Sequence, residues 1–485
     1  MGEAAYDLGY SVERVHPFPT PTGGGGEPPR EPPKKRRPRR PAPGTAVVSE
    51  DRAALAFAER HRNELLYCHD TGAWYEWKGA AWIRNATGLA FHYARLLARD
   101  MAAHESEKVQ AVAGRAGFAS GVERLAQRDP LFARRAEIWD ADPWLLGTPG
   151  GTVDLRTGIL RPANPAEHIT RLTAATPAAD ADCPTWLHFL DDATRGDPAF
   201  IRFIQQWGGY CLTGDTREQA LCFAFGKGGN GKGVFVRTLS GIMKDYALAA
   251  AMETFTASRH DRHSTEIASL RGARLVTASE TQEGRSWNAQ RIKELTGGDV
   301  MRARFMRQDE FEFMPVLKLL FTGNSKPGLS TVGDAEKRRF NLLPFEHKPS
   351  KPDQQLEQKL RSEWPGILRW LINGCLDWQQ NGLLRPQSVQ VATAEYFADQ
   401  DVFAQWLEDK CDVEPENPDF FEPQAALFKS WSDYAAASGE RAGDMPQMAE
   451  ALQRNGIPRK RTKVARGFSG VRLKLAYPSG ADDLR

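Results

Sequence analysis

A glycine-rich segment with one central lysine carries the residue types in this sequence that most directly predict chemistry. Gly226-Lys227-Gly228-Gly229-Asn230-Gly231-Lys232-Gly233-Val234 follows the apolar run Leu221 to Phe225 and opens a helix-compatible run to Met243. Glycines let backbone N–H groups turn inward around a phosphate chain, and the N-terminus of the following helix adds positive potential. Lys232 would then face the β- and γ-phosphates. We interpret residues 226–234 as a P-loop that binds ATP.

The residue after this lysine departs from the usual pattern. Ser or Thr is expected there, because its hydroxyl binds Mg²⁺, but Gly233 occupies the position. We therefore expect Mg²⁺ to be held by nucleotide oxygens, water and an acid elsewhere. The best candidate is Glu280, which comes after the apolar run 275–278 and Ser279, and which could orient either the metal or the attacking water. Glu283 and Glu253 are alternatives that do not directly end an apolar strand.

Two more segments carry polar groups that suit a nucleotide site. Asn324 comes just after the strand-like run Leu317 to Thr322, where its amide could bond the γ-phosphate or the lytic water. An ordinary turn residue is the alternative interpretation. Arg338 and Arg339 precede the strand-like run Asn341–Phe345. Either could be an arginine finger that a neighbouring subunit supplies to stabilise transition-state charge; the alternative is a solvated basic loop.

The apolar runs before these residues predict the elements that position them. Strands separated by segments long enough for crossovers favour an α/β fold with a largely parallel sheet, which we assign to residues 186–390. Residues 46–185 predict a mixed α+β domain, helical over Glu50 to His61 and from Arg84 to Arg135, with a hairpin at 150–158. Its aromatic stretch from Trp74 to Trp82 is typical of core packing, with base stacking as the alternative.

Composition sets further limits. The net charge is only +2, so any DNA contact must come from local patches. Residues 1–45, with eight basic and five acidic side chains among prolines and glycines, predict a disordered basic tail that is either a linker or a phosphate-binding arm. The six cysteines lack paired C-x-x-C spacing, which argues against a zinc ribbon and fits a reducing cytoplasm. No apolar run is long enough to span a membrane.

The C-terminal residues 395–478 predict a small separate module. Helices are expected at Val402–Cys411, Pro423–Ala437 and Met445–Asn455, then a strand at Lys460–Val464, a turn at 467–470 and a strand from Val471. Three helices and a two-stranded wing describe a winged helix. Residues 451–475 hold eight basic side chains and no acidic one, which indicates a DNA-binding patch. We place the contact at Arg459, Lys460, Arg461 and Lys463; a protein-docking wing is the alternative.

In combination these segments resemble the superfamily 3 helicases, specifically the phage and plasmid primase–helicase family that includes poxvirus-type replicative NTPases. The resemblance covers roughly residues 50–350 and rests on the order of its motifs. These are Val153-Asp154-Leu155-Arg156-Thr157-Gly158, Gly209-Tyr210-Cys211-Leu212-Thr213-Gly214, the P-loop, Ala278-Ser279-Glu280-Thr281-Gln282-Glu283-Gly284, Leu295-Thr296-Gly297-Gly298-Asp299, Phe321-Thr322-Gly323-Asn324, and Arg338-Arg339 before Leu343-Pro344-Phe345.

The resemblance implies an AAA+-like ring, typically a hexamer, with ATP between subunits and single-stranded DNA threaded centrally. It also implies a DNA-pushing hairpin between the acidic strand and the asparagine strand. Here that segment runs from Lys293 to Pro315 and includes Arg302, Arg304 and Arg307. The residues themselves agree, since Val300–Phe305 and 310–313 could pair around a tip at 306–309. Alternatively, these arginines merely solvate a surface hairpin.

Many members of that family carry a primase domain, with paired catalytic carboxylates and often a zinc site. Residues 46–185 contain no cysteine cluster, and their one D-x-D pair, Asp140 and Asp142, precedes a proline in a turn-like context. We therefore expect a helicase without its own primase, for which a separate primase is a candidate partner.

The leading hypothesis is an ATP-dependent DNA helicase that replicates a phage, plasmid or integrated mobile element. A P-loop ATPase without unwinding, such as a loader or partition motor, is the main rival. The third hypothesis is an origin-binding initiator that recognises duplex origin DNA, with ATP controlling only its assembly.

The acid assignment can be tested by exchanging each carboxylate for its amide. Glu280→Gln should leave ATP binding largely intact but reduce hydrolysis by on the order of 100-fold, because the amide keeps the shape and loses the charge. Steady-state ATPase assays and equilibrium nucleotide binding measure the two effects separately. Glu283→Gln is the control, and if it is the inactive variant, the acid is misplaced.

Overall fold

A computed structural model of the protein describes residues 48–257, 264–279, 286–305, 309–329, 333–417, 419–438 and 442–474. The described residues from Ser49 onward belong to one compact unit. None of the helices within these ranges is long and apolar enough to cross a membrane. The predicted basic tail at 1–45 lies outside the described residues, as do Glu280, Glu283 and Arg307.

The first elements alternate helices with short antiparallel strands. In chain order they are α1 Glu50–Arg60, β1 Leu65–Cys68, β2 Ala73–Trp77, β3 Trp82–Arg84, α2 Leu89–Ala102, α3 Glu107–Ala113, α4 Ala116–Ala126, β4 Ala133–Arg134, β5 Leu145–Thr148, β6 Gly151–Asp154 and β7 Ile159–Arg161. The strands form two sheets, with orders β3-β2-β1-β4 and β5-β6-β7.

The central elements alternate strands and helices. They are α5 Pro184–Thr194, α6 Pro198–Cys211, β8 Leu221–Phe225, α7 Lys232–Met243, β9 Ala247–Ala249, α8 Ser264–Ser269, β10 Leu275–Ser279, α9 Ala289–Gly297, β11 Met301–Arg304, β12 Glu310–Phe313, β13 Lys318–Gly323, α10 Asp334–Lys337, β14 Phe340–Pro344, α11 Leu356–Ser362, α12 Trp364–Asn381 and α13 Gln387–Gln400.

The last elements build the C-terminal module. They are α14 Val402–Lys410, β15 Cys411–Val413, β16 Phe421–Pro423, α15 Gln424–Ala437, α16 Met445–Arg454, β17 Arg459–Arg461, β18 Arg466–Ser469 and β19 Val471–Leu473.

Five of the central strands form the parallel sheet that the sequence predicts, in the order β14-β8-β13-β10-β9. Their side chains alternate between two hydrophobic cores, as the period of two in a strand requires. In β8, for example, Cys222 and Ala224 point to one core while Leu221 and Phe223 point to the other. Both faces are therefore covered, which explains why these strands are apolar at nearly every position.

Helices cover each face of this sheet. Buried residues of α6, α7 and α12 form the first core, and those of α8, α9 and α13 form the second, together with the β11–β12 hairpin. Where α6 crosses α12, the backbones approach so closely that a Cβ on Gly209 would overlap the backbone of Leu371 and Cys375. A Cβ on Gly374 would likewise overlap the Gln205 carbonyl. This crossing holds the region before β8 firmly against the region after β14.

The register of the parallel sheet sets the strand ends level with one another. Gly323 at the end of β13 pairs with Phe225 at the end of β8, and so does Pro344 at the end of β14. Ser279 at the end of β10 pairs with Thr322. The residues just after these strands consequently meet at one edge of the sheet.

Packing in the structure crosses two of the predicted domain boundaries. Leu146 and Val153 of the β5–β6 hairpin lie in the same core as α6, so residues 46–185 do not pack independently of the central elements. Helix α13 runs unbroken across 390–395, and its Tyr396 and Phe397 pack on Phe340 of β14. The central core therefore extends to about residue 400. Sequence periodicity cannot detect either feature, because both depend on which surface a buried side chain meets.

The N-terminal elements otherwise have the expected pattern. The aromatic stretch is mainly core, since Trp74, Tyr75 and Trp82 are all buried. The long helical prediction from Arg84 to Arg135 is wrong in detail: three helices replace it, and residues 133–134 form a strand beside β1.

The aspartates of the D-x-D pair have structural partners. Asp140 accepts from the Thr170 amide at 2.9 Å. Both carboxylate oxygens of Asp142 accept from one guanidinium nitrogen of Arg156, at 2.9 and 3.1 Å. These contacts tie neighbouring loops of the hairpin region together.

The C-terminal module has the three predicted helices around a core that includes Trp406, Leu427 and Phe468. Its sheet order is β16-β18-β17, and β19 pairs with β15 instead of completing the wing. The predicted turn at 467–470 is wrong, because residues 467–469 belong to β18. The chain reverses at 462–465, where the Thr462 hydroxyl accepts the Ala465 amide at 3.0 Å. A side-chain hydrogen bond makes this turn, so a search for glycines misses it.

Candidate functional site

The glycine loop at 226–231 joins the central strand β8 to the N-terminus of α7. Gly226, Gly229 and Gly231 have φ values of +145°, +82° and +85°, which side-chain-bearing residues rarely adopt. Gly228 does not share this constraint, and a Cβ there would meet open space. The predicted strand before the loop and helix after it are both present.

Asn230 anchors this loop to the neighbouring strand. Its side chain is 4 % exposed, and its amide nitrogen donates to the carbonyl of Phe345, the first residue after β14. A Cβ on Gly226 would overlap the same carbonyl, so a larger residue there would break the contact. The Phe345 amide in turn donates to the Phe225 carbonyl at 2.9 Å. The loop is thereby fixed at both its start and its end.

Lys232 lies inside the loop with only neutral oxygens as partners. Its Nζ donates to the Gly226 carbonyl at 2.5 Å and to Asn230 Oδ1 at 3.0 Å. The side chain is 8 % exposed, and burial lowers the pKa of its ammonium group. No acid pairs with it among the described residues. A buried cation without a counter-ion is costly, so this site favours an incoming anion.

Asn324, the residue directly after β13, lies beside Lys232. Its Oδ1 lies 3.5 Å from Lys232 Nζ, although the two residues are 92 positions apart in the chain. The amide is exposed at the edge of the sheet, where it can reach a group held by the loop. The structure therefore places Asn324 beside Lys232, and its predicted contact with the γ-phosphate or the lytic water stays a prediction. Glu280 would come directly after Ser279, the last residue of β10, but lies outside the described residues.

Two further lysines at this edge were missed by sequence reasoning. Lys348, four residues after β14, passes over the loop, with its Cε 3.2 Å from where a Cβ on Gly229 would stand. Lys326, three residues after β13, places its Nζ 4.1 Å from the ring centre of Phe225. A signal was present in the sequence, since each cation comes soon after an apolar strand beside the P-loop strand. Together they make this edge positive.

Gly233 leaves the first turn of α7 without a hydroxyl. A Cβ at this position would come 2.9 Å from a guanidinium nitrogen of Arg237, one turn further along the helix. Arg237 itself is largely exposed and pairs with Glu357, its Nε 2.8 Å from the carboxylate. Within the described residues, no cluster of three or more His, Cys, Asp and Glu side chains is arranged to hold a metal ion.

The two predicted finger arginines have different environments. Arg339 is 4 % exposed, and its guanidinium donates to the Ala335 carbonyl at 2.7 Å and to Gln219 Oε1 at 3.0 Å. Burial also lowers the pKa of this guanidinium. Arg338 is exposed. Both residues precede β14, at the amino edge of the sheet and hence opposite the glycine loop.

The β11–β12 hairpin forms as predicted, with Ala303 and Phe313 buried and the arginines on its outer face. Arg302 is paired with Glu312 at 2.8 Å, and Arg304 lies directly opposite Glu310. This face therefore has little net charge in the described residues. Lys293 is exposed on α9, and Arg307 lies outside the described residues.

The predicted C-terminal contact residues are all exposed. Arg459, Lys460 and Arg461 form β17, and Lys463 lies in the turn after it. Arg472, another cation of the segment, differs because it pairs with Asp412 at 3.2 Å. The patch is therefore concentrated on the β17–β18 hairpin.

Two segments of the chain match known family models. Residues 54–195 match the family described as "D5 N terminal like", and residues 224–339 match one described as a family of unknown function (DUF5906). These matches support a relationship of this chain to the D5-like helicase family of phages and viruses. The second match spans the glycine loop, Asn324 and Arg338.

Its curated relatives are viral. A protein of Acanthamoeba polyphaga mimivirus named as a candidate helicase is 26% identical over 306 residues, covering 58% of this chain and 32% of the relative. One of Frog virus 3 (isolate Goorha), similarly named, is 24% identical over 288 residues, covering 55% and 29%. The chain thus spans about a third of the length of these relatives.

Among solved structures, the chain is similar to the apo form of the NrS-1 C-terminal region. The TM-score is 0.47 at 10% sequence identity, covering 87% of this chain and 99% of that one.

The role of the buried lysine can be tested by removing its charge. Lys232→Ala should lower ATP hydrolysis by on the order of 100-fold, because the loop loses the one cation that it encloses. Lys244→Ala, an exposed lysine just beyond the other end of α7, is the matched control and should stay near wild type. Turnover of Lys232→Ala within twofold of wild type would refute the site assignment.

Proposed function

We propose that this chain is the ATP-driven motor of a DNA helicase that replicates a phage, plasmid or integrated mobile element and works as a ring on single-stranded DNA. The observation that carries the proposal is the convergence of Lys232 and Asn324 on the glycine loop. The family and the helicase names of the viral relatives support the same general function.

The geometry suits ATP at the glycine loop. The positive φ values of three glycines would let the backbone of the loop turn around a phosphate, and Lys232 has no acidic partner among the described residues. Lys348 and Lys326 add positive charge beside it. Asn324 is placed to orient the γ-phosphate or the lytic water. The α/β architecture, with the loop after β8 and the asparagine after β13, supports an AAA+-like P-loop core.

Few of the described side chains at the glycine-loop edge of the sheet could bind Mg²⁺. Gly233 offers none, so we assign the metal to nucleotide oxygens, water and Glu280. The register is consistent with this choice, because Ser279, the last residue of β10, pairs with Thr322 near the end of β13, and Glu280 is the next residue in the sequence. When bound, the ion would neutralise charge on the phosphates.

The arginines support a ring rather than a self-contained monomer. Arg338 lies before β14, and the five residues of that strand separate it from the glycine-loop edge by about 16 Å at the usual rise per residue. It therefore cannot serve its own loop, but as an exposed cation it can reach a neighbour's. Arg339 is buried in its own subunit, so we assign the finger to Arg338.

Mixing two inactive variants tests this arrangement. Arg338→Ala should lower ATPase activity by on the order of 1000-fold through loss of the finger, and Lys232→Ala is inactive because its own loop is impaired. Mixed together, some interfaces pair an intact loop with an intact arginine, so part of the activity should return. Lys337→Ala, the exposed neighbour, is the control. If both variants assemble but mixing restores nothing, the arginine does not act in trans.

Strand displacement with 5′- and 3′-tailed substrates tests the motor itself. Wild type should displace a strand only while ATP is hydrolysed, and Lys232→Ala should not displace it. ATPase activity without displacement would instead indicate a loader or partition motor. Sequence-specific duplex binding that persists in Lys232→Ala would favour an initiator, which the exposed cations of the C-terminal module make the second candidate function.

The C-terminal module supports a contact with DNA whether the protein is a helicase or an initiator. Its three helices and its β16-β18-β17 sheet are consistent with a winged helix, with the turn at 462–465 as the wing tip. We propose that Arg459, Lys460, Arg461 and Lys463 contact DNA there. Lys293, Arg302, Arg304 and Arg307 remain proposed contacts for the central strand. Arg302 would first have to leave Glu312.

A further inference from the structure

The tip of the β17–β18 hairpin presents an apolar side chain to solvent between cations. Val464 is 96% exposed, the highest value among the large hydrophobic residues of the described chain. Lys463 precedes it, and Arg461 and Arg466 flank the turn. A fully exposed valine contributes nothing to the stability of the module. A single exposed apolar residue is not unusual in itself, but at the tip of a cationic hairpin this side chain is free to contact whatever the cations bind.

The cations around this tip repel one another in the free protein. Arg461 pairs directly with Arg466 across the two strands, and like charges in that position are destabilising. Neither forms an ion pair with a described acid, and the same holds for Arg459 and Lys463. An anion placed between the two strands would relieve the repulsion, and the phosphates of a nucleic acid supply a row of such anions.

The hairpin is also held rigidly enough to present these groups. Phe468 of β18 is fully buried in the module's core, opposite Arg459. The tip is closed by hydrogen bonds from the Thr462 amide to the Ala465 carbonyl at 2.9 Å and from the Ala465 amide to the Thr462 hydroxyl. Little ordering is therefore needed when a partner binds.

Helix α16 offers a poorer surface to the same partner. Its exposed positions include the acid Glu450 as well as Gln453 and the last-turn Arg454. If α16 entered the major groove of DNA, Glu450 would come close to the phosphates, and the two negative charges would repel each other. The hairpin segment 459–466 has five cations and no acid. It also lacks Asn and Gln, the side chains that read adenine edges.

We propose that the β17–β18 hairpin, rather than α16, holds duplex DNA, with Val464 inserted into the minor groove and the flanking cations on the two phosphate backbones. This inference rests on the proposed DNA-binding function and names the element and the groove. Apolar side chains are used in this way by proteins that bind the minor groove. Contacts of this kind depend on groove shape and charge, so binding should favour narrow A·T-rich grooves over a defined sequence.

The test compares variants of the full chain in equilibrium binding to a short A·T-rich duplex, without nucleotide, over a range of salt concentrations. Val464→Ser should weaken binding about tenfold and leave the salt dependence unchanged, because it removes an apolar contact and no charge. Arg461→Ala/Arg466→Ala should weaken binding and lower the slope of log K against log salt by about 2, because two phosphate contacts are lost. Distamycin, which fills the minor groove, should compete with wild type.

Two exposed residues provide matched controls. Ile159→Ser removes an apolar side chain of 62% exposure from the β6–β7 hairpin, and Gln453→Ala truncates α16. Both should bind as wild type does. Wild-type affinity of Val464→Ser, or a larger loss from Gln453→Ala than from the hairpin variants, would overturn the inference.

ATPase activity in the absence of DNA, measured on the same proteins, separates this inference from the motor. It should be unchanged in the Ile159→Ser and Gln453→Ala controls, and in each hairpin variant it shows whether the motor is still intact. Failure of the hairpin variants to weaken binding while Lys232-dependent ATPase persists refutes only the hairpin. Loss of Lys232 dependence with hairpin-dependent binding intact refutes only the motor.

Discussion

The parallel register of β8 with β13 and β14 is the constraint on which the rest of the site depends. It sets Phe225, Gly323 and Pro344 level, so that the next residues of all three strands meet at one edge. The Phe345 carbonyl can then accept from Asn230, and Asn324 can approach Lys232. A shift of one residue would exchange the two faces of a strand and separate these groups. Burial of both faces makes such a shift costly.

Whether a cation already has a partner within the protein decides how readily it can bind a ligand. Lys318 at the start of β13 is also a buried lysine, 1% exposed, with the Thr213 and Val316 carbonyls and the Tyr210 ring around it. Burial lowers its pKa to about 7. That site is closed and lies at the opposite edge of the sheet. Lys232 keeps some contact with solvent at the mouth of a loop shaped for an anion, so its unmet charge is available to a ligand. Arg339 and Arg302 already have partners, whereas the hairpin cations around Val464 have no acidic partner among the described residues, Lys460 aside.

Prediction from sequence succeeded for elements whose structure depends on residues close together in the chain. The apolar strands, the glycine loop and the β11–β12 hairpin were found because each has a characteristic period or composition. It failed at the turn of 462–465, where a threonine side chain replaces the expected glycine turn, and at Lys348 and Lys326, whose importance comes from their neighbours across the sheet. It also could not separate Arg338 from Arg339, since two adjacent arginines look alike until one of them is buried.

The sequence by itself determined the kinds of element and the groups available: a strand, a glycine loop and a helix around Lys232, an asparagine after a later strand, and a basic C-terminal segment. These depend on backbone conformation and side-chain chemistry within a few residues. Only the tertiary structure decided which groups meet. It joined residues 232 and 324, tied the loop to Phe345, buried Arg339 while exposing Arg338, and placed Val464 alone at a hairpin tip. The reason is that burial and the pairing of charges depend on strand register and helix packing between residues far apart in the chain.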